Sequence, residues 1–246
     1  MISLVLYHIR VVLSLEFFLK FEIRGDFVYN GGMNTRKEST TILVVNSAEK
    51  GITEFTDPVV TILDEAGVNS RVVEYMEIPG INIPDFPGII VSGSPCGDDI
   101  VEHHQPWFRW VKSCDIPVLG FCAGHHVIGT MYGSKLLRSV EVEIGDFYIT
   151  LDRPDDPLFT GCDRRVLVRQ AHRDSITLPP GFILLAHSDI CKVEAMKHPT
   201  KPIYTTQFHP EILNKNMILN FVKMTGEATS RRTHGKYRED TEKNDN

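Results

Sequence analysis

Cysteine is scarce in this chain of 246 residues: Cys96, Cys114, Cys122, Cys162 and Cys191 make an odd set of five with no CxxC pair. That spacing excludes a disulfide framework, points to a reducing, cytoplasmic setting, and leaves a single thiol able to act as a nucleophile. Positive charge is not in excess either. Lys+Arg number 26 against 32 Asp+Glu, a formal net charge of -6, so the electrostatic footprint of a general nucleic-acid binder is missing. With 18 glycines and 14 prolines, collagen-like and low-complexity chemistry are excluded as well. The histidine pairs His103-His104 and His125-His126 lack a recognised zinc spacing, and adjacent histidines usually point apart, so no metal is expected. What is left is an ordinary globular mixture, 42% hydrophobic and 24% charged, long enough for one α/β domain with appendages.

There is one long apolar run, MISLVLYHIRVVLSLEFFLKFEIR at the start of the sequence. Arg10 sits in its middle, with His8, Glu16 and Lys20 nearby. A central Arg costs about 2.5–3.5 kcal/mol on insertion scales, which argues against a membrane span, and no small-residue cleavage site follows. Met33 then opens MNTRKESTTILVV, a polar lead into a β-branched run. Residues 1–40 therefore read as an N-terminal extension outside the fold, with 1–32 dispensable.

From residue 41 onward, short apolar runs alternate with helical-length segments, the pattern of a parallel α/β sheet. Strands are expected at 41–45, 71–75, 88–91, 117–120 and 203–206. Helices are expected at about 53–66, 106–112 and 214–224. After residue 135 the texture becomes strand-like, with pieces at 136–142, 147–151, 166–169, 183–186 and 192–195. The expected fold is α/β: a Rossmann-like, mostly parallel central sheet flanked by helices, with the later strands extending its edge. The domain spans 41–224, and 225–246 reads as a disordered charged tail, its Arg231, Arg232, Lys236 and Arg238 balanced by Glu239, Asp240, Glu242 and Asp245. Trp107, Phe108 and Trp110 read as packing residues.

Chemistry concentrates at two places. Gly120-Phe121-Cys122-Ala123-Gly124 has the G-x-nucleophile-x-G form at a strand-to-helix junction, where small glycines permit a tight turn and the helix N-terminus favours a thiolate. A thiolate needs a base, and the base needs an orienting partner. Gln207-Phe208-His209-Pro210-Glu211, at the end of another apolar strand, supplies both in His209 and Glu211.

With these segments in view, the sequence resembles the class I glutamine amidotransferases, the Cys-His-Glu family that hydrolyses glutamine to supply ammonia. Ser92-Gly93-Ser94-Pro95 resembles the family's SGGP loop, PVLGFCAGHH (117–126) its PVLGICLGHQ nucleophile segment, and QFHPE (207–211) is its His/Glu signature. The segments AHRDSI (171–176) and LLAHSDICKVEAMKHPTKPIYTTQFHPEI (184–212) look most like the stand-alone amidotransferase subunit of GMP synthase. The resemblance implies a catalytic triad of Cys122, His209 and Glu211, an oxyanion hole from the backbone amides of Ser94 and Ala123, and substrate contacts at Gly93, His126, His172, Arg173 and Asp174. Three of these positions depart from the family pattern: His126 stands for a Gln, Ser94 for a Gly and Arg173 for a Gly.

The implied reaction is hydrolysis of L-glutamine to glutamate and ammonia through a thioester, with no cofactor in this chain. The sequence has no SGGxDS loop of an ATP-pyrophosphatase. ATP and Mg are thus expected only in a separate synthetase subunit that receives the ammonia, by resemblance to convert XMP to GMP. Two alternatives share the residues: a Cys-His hydrolase of γ-glutamyl amides or peptides, and a catalytically silent binding module.

Overall fold

A computed structural model describes residues 41–95 and 99–244; the apolar leader, the expected 1–40 extension and Cys96 lie outside the described residues. The run TILVVN forms the first strand, β1 (Thr41–Asn46), buried at all but its first position. Helix α1 (Asp57–Glu65) follows, with Asp57 and Pro58 in its first turn, where a negative charge meets the helix dipole and a missing N–H costs nothing. Its Val59, Ile62 and Leu63 recur at helical spacing and are buried. The chain leaves the helix through Gly67, whose φ of +67° favours a residue without a side chain.

The other strands are β2 (Asn69–Glu74), β3 (Ile89–Val91), β4 (Val118–Phe121), β5 (Leu136–Leu137), β6 (Glu143–Leu151), β7 (Arg165–His172), β8 (Ser175–Ile176), β9 (Ile183–His187), β10 (Ala195–Lys197) and β11 (Ile203–Thr206). Nine of them form one sheet in the order β2-β1-β3-β4-β11-β10-β9-β6-β7, and β5 pairs with β8 alone. From β2 to β11 every pairing is parallel. From β11 to β7 every pairing is antiparallel, so the later strands extend one edge of the parallel sheet as expected.

Both faces of the parallel half are covered, which is why its strands read as unbroken apolar runs. Ile42, Val44, Ile90, Leu119 and Phe121 pack on one face with the α1 residues and with Met217, Ile218 and Phe221 of the last helix. Leu43, Val45, Ile89, Val91 and Val118 face the other way, toward Phe108, Val111, Val127 and Ile128. The first two of these come from a 3-10 segment, Gln105–Ser113, and the last two from α3 (Ala123–Met131); α2 (Asp99–His104) precedes the 3-10 segment.

Several expected elements differ. The helix at 106–112 is a 3-10 segment, with Pro106 withholding a donor from its first turn, although Phe108 packs in the core as expected. The strand at 136–142 stops at Leu137, because the chain turns at Ser139 with φ +53°. The strand expected at 192–195 begins only at Ala195, after a turn in which Ser188 Oγ accepts from Cys191 N at 2.7 Å. A disordered tail was expected over 225–246; the backbone instead continues as helix α5 (Lys215–Asn244), after the short α4 (Pro210–Leu213). Residues 225–244 contain no proline, and propagation from an anchored turn adds one hydrogen bond per residue. Among the described residues, no helix is long and apolar enough to cross a membrane.

Candidate active site

The parallel register brings the two chemical segments together. Thr206 of β11 lies opposite Phe121 of β4, so Cys122 and Gln207 leave the sheet side by side at its carboxyl edge. That edge, beside the point where the strand order turns from β1 toward β2 and β3, is where open α/β sheets bind ligands. Four connections meet there: those after β1, β3, β4 and β11.

Cys122 occupies the turn between β4 and α3 with φ 50° and ψ -107°, a strained conformation for a residue with a side chain. Its N–H donates to Thr206 O at 2.9 Å, and its carbonyl accepts from His126 N at 3.0 Å. The two flanking glycines are required by close approach. A Cβ on Gly124 would stand 2.6 Å from the Val91 carbonyl oxygen, and one on Gly120 would stand 2.7 Å from Ile128 Cδ1 and 3.0 Å from the Gly124 backbone. The elbow is therefore wedged against β3 and α3.

His209 caps α4, fixed by its N–H donating to Arg169 O at 2.9 Å. Its Nδ1 and Glu211 Oε1 are 2.7 Å apart, and both side chains are fully buried. The Cys122 sulfur lies near enough to the same imidazole to favour its charged form. Burial pulls the imidazole toward its neutral form, but the Glu211 carboxylate and the Cys122 sulfur outweigh it and hold the pKa up at about 10. The three side chains expected to form a triad thus meet, in the order nucleophile, imidazole, carboxylate.

The loop after β3 closes the other side. Ser92 Oγ accepts from Ser47 N at 3.0 Å and donates to Gly93 O at 2.9 Å, tying the β1 and β3 connections together. A Cβ on Gly93 would come within 3.1 Å of His209 Cε1 and 2.9 Å of Phe55 Cδ1, so Gly93 lets the loop lie against the imidazole. Ser94 is buried and has no positive φ, so this turn accepts a side chain where the family pattern has glycine. Ala123 opens α3, where N–H groups lack intrahelical acceptors and the helix dipole is positive.

The other expected substrate contacts are placed less uniformly. His126 is buried with Nε2 2.7 Å from Gln207 Oε1; burial lowers its pKa to about 4, so the imidazole is neutral. His172 is buried with Nδ1 3.1 Å from Asp174 O and Nε2 3.3 Å from Glu143 Oε2. The Asp174 carboxylate accepts from Ser139 N at 2.7 Å, anchoring the strained turn there, and Arg173 is exposed. The pair His125 and His126 was expected to point apart, but their ring centroids are 5.9 Å apart, with His125 Nδ1 2.7 Å from Thr205 Oγ1. His104 Nε2 lies 2.8 Å from Ser47 O.

Two neighbours of the site escaped the sequence reading. Phe55, read as helical core, lies before α1 with its ring centroid 5.5 Å from that of His209. Glu54 beside it is close enough to feel the His209 charge, which lowers its pKa, although burial is stronger and leaves it raised. Only their place after the first strand of a parallel sheet hinted at this position.

Comparison with known proteins follows the same lines. The family model for glutamine amidotransferase class-I matches residues 52–224. A glutamine-hydrolyzing GMP synthase subunit of Methanocaldococcus jannaschii is 38% identical over 147 residues, covering 58% of this chain and 76% of the relative. The corresponding GMP synthase subunit of Pyrococcus abyssi is 33% identical over 173 residues, covering 65% and 88%. A crystal structure from Thermoplasma acidophilum, provisionally described as one of the GMP synthase subunits, superposes with a TM-score of 0.71 at 26% identity, covering 81% of this chain and 99% of that one. A glutamine amidotransferase from Thermotoga maritima, at 14% identity and a TM-score of 0.58 over 80% and 86% of the two chains, shares the fold.

Proposed function

The chain belongs to the class I glutamine amidotransferase family, and we propose that it hydrolyses L-glutamine to glutamate and ammonia and passes the ammonia to a separate synthetase subunit. The observation that carries this reading is the buried Cys122–His209–Glu211 arrangement, with its 2.7 Å His209–Glu211 contact, on a strained elbow.

In this reading His209 already holds the proton of the Cys122 thiol, and Sγ attacks the side-chain carbonyl carbon of glutamine. Glu211 stabilises the resulting imidazolium and keeps Nε2 turned toward the sulfur. The tetrahedral oxyanion is held by the backbone amides of Ser94 and Ala123, each worth about 2.7–4 kcal/mol in comparable sites. The C–N bond then breaks, and His209 returns the proton to the leaving ammonia. Water, activated by the same imidazole, cleaves the γ-glutamyl thioester and releases glutamate. Gly93, His126 and Arg173 are assigned to the mouth of the site, with His126 and Gln207 forming its polar wall, while the expected substrate contacts His172 and Asp174 are engaged with Glu143 and Ser139 instead.

The relatives named as glutamine-hydrolyzing GMP synthase subunits support a synthetase as the ammonia acceptor; in this reading XMP is the molecule aminated. ATP and Mg belong to that partner in this reading. The test is an ammonia-release assay on the purified chain, with glutamine and with γ-glutamyl peptides, in the presence and absence of a candidate synthetase. Glutamine turnover that disappears in Cys122→Ala supports the proposal. Turnover of peptides alone identifies a γ-glutamyl hydrolase instead, and no turnover by a folded chain identifies a silent module.

A further inference from the structure

A second group of chemically versatile side chains converges on the antiparallel half of the sheet. Glu143 and His172 face each other in register across β6 and β7, and Cys191 and Glu194 reach them from the turn between β9 and β10. One ligand atom from each lies within 4.8 Å of all the others, and all four residues are buried. We propose that Glu143, His172, Cys191 and Glu194 bind one divalent transition-metal ion of the zinc class. The inference rests on this cluster alone and does not depend on the glutaminase reading.

Three features point to a cation. First, the atoms not needed for coordination are already engaged. Ser188 Oγ donates to Glu143 Oε1 at 2.8 Å, Gln170 Nε2 donates to Glu194 Oε1 at 2.7 Å, and His172 Nδ1 is directed at the Asp174 carbonyl at 3.1 Å. Such an outer shell fixes ligating carboxylates and the imidazole tautomer in metal sites.

Second, the fully buried Glu194 Oε2 meets no hydrogen-bond donor among the described residues. Two carboxylates confronting one another away from water need a compensating cation or a shared proton.

Third, the spacing suits coordination better than a direct ion pair. His172 Nε2 lies 3.3 Å from Glu143 Oε2, beyond the roughly 2.7–2.9 Å of a charge-assisted N–H···O bond. Bonds of about 2.0–2.1 Å to a tetrahedral ion place two ligand atoms roughly 3.3–3.4 Å apart. The mixture of thiolate, imidazole and carboxylate suits a borderline ion such as Zn²⁺ or Co²⁺ better than Mg²⁺ or Ca²⁺, which favour all-oxygen sites. Binding releases the Cys191 thiol proton, and it joins the ends of β6 and β7 to the loop before β10.

The test is the metal content of the full-length chain, expressed in zinc- or cobalt-supplemented minimal medium and desalted before elemental analysis. The proposal predicts about one ion per chain and, in the cobalt form, a thiolate-to-cobalt absorption band with the strong visible bands of a tetrahedral ion. Cys191→Ser should abolish the thiolate band and Glu194→Gln should lower the bound metal several-fold, while Cys114→Ser leaves both unchanged. If a variant fails to fold, the cobalt spectrum of the unmodified chain decides. Desalted wild-type chain without stoichiometric metal from either medium would overturn the proposal and leave shared protons as the compensating charge. Equal metal binding and an unchanged band in folded Cys191→Ser would overturn it as well.

Discussion

His209 carries a charge that the fold itself stabilises. Its folded-state pKa of about 10 lies above the 6.5 of a free imidazole, so folding favours the protonated form. That stabilisation is complete below about pH 6.5 and is lost as the pH rises toward about 10. Glu211→Gln removes the carboxylate attraction, so urea unfolding should show a wild-type advantage that is largest near pH 6 and shrinks toward pH 10. The same substitution should lower kcat on the order of 10²–10⁴-fold, the range for a misdirected general base. At His126 the expectation is a change in KM. A buried neutral imidazole held by Gln207 stands where the family pattern has Gln, so His126→Gln should lower the glutamine KM with kcat nearly unchanged; an equal or higher KM counts against a role in the pocket. Residue chemistry was legible in the sequence where a motif carried it, as in GFCAG and QFHPE. Phe55 and Glu54 were not, because their importance lies in where β1 delivers them. The Glu143, His172, Cys191 and Glu194 group was missed for a related reason: its members are spread over three segments, and only the β6–β7 register and the 188–191 turn bring them together.

At the scale of elements, the elbow depends on how closely α3 approaches β3. Alanine ordinarily stabilises a helix relative to glycine by about 0.5–1 kcal/mol. At Gly124 the sign should reverse, since the new Cβ would lie 2.6 Å from the Val91 carbonyl oxygen. Gly124→Ala is expected to destabilise the chain by about 1–3 kcal/mol in urea unfolding and to impair turnover by shifting Cys122. Stabilisation with full activity would show that the wedge is not needed. The parallel strands were easy to read because burial on both faces makes them continuous apolar runs. The antiparallel half was harder: β6 shows a polar or exposed residue at alternate positions, and Ser139 bends the chain where sequence pattern suggested a longer strand. The last helix was underestimated because composition alone does not register that Met217, Ile218 and Phe221 anchor its first turns.

For the whole molecule, the family match and the site both fall within the segment beginning after β1. A chain starting at Met33 is expected to hydrolyse glutamine at a rate within about twofold of the full chain, as expected of a segment that adds nothing to transition-state binding. A steep loss of turnover would assign residues 1–32 a part in the catalytic unit. The central claim is that Cys122 forms the γ-glutamyl thioester. It is tested most directly by acid-quenching the enzyme during turnover of isotopically labelled glutamine and mapping the label by peptide mass spectrometry. The account predicts label on the peptide containing Cys122, with ammonia release, and neither in Cys122→Ala. Ammonia release that persists in Cys122→Ala, or label on another residue, would contradict it.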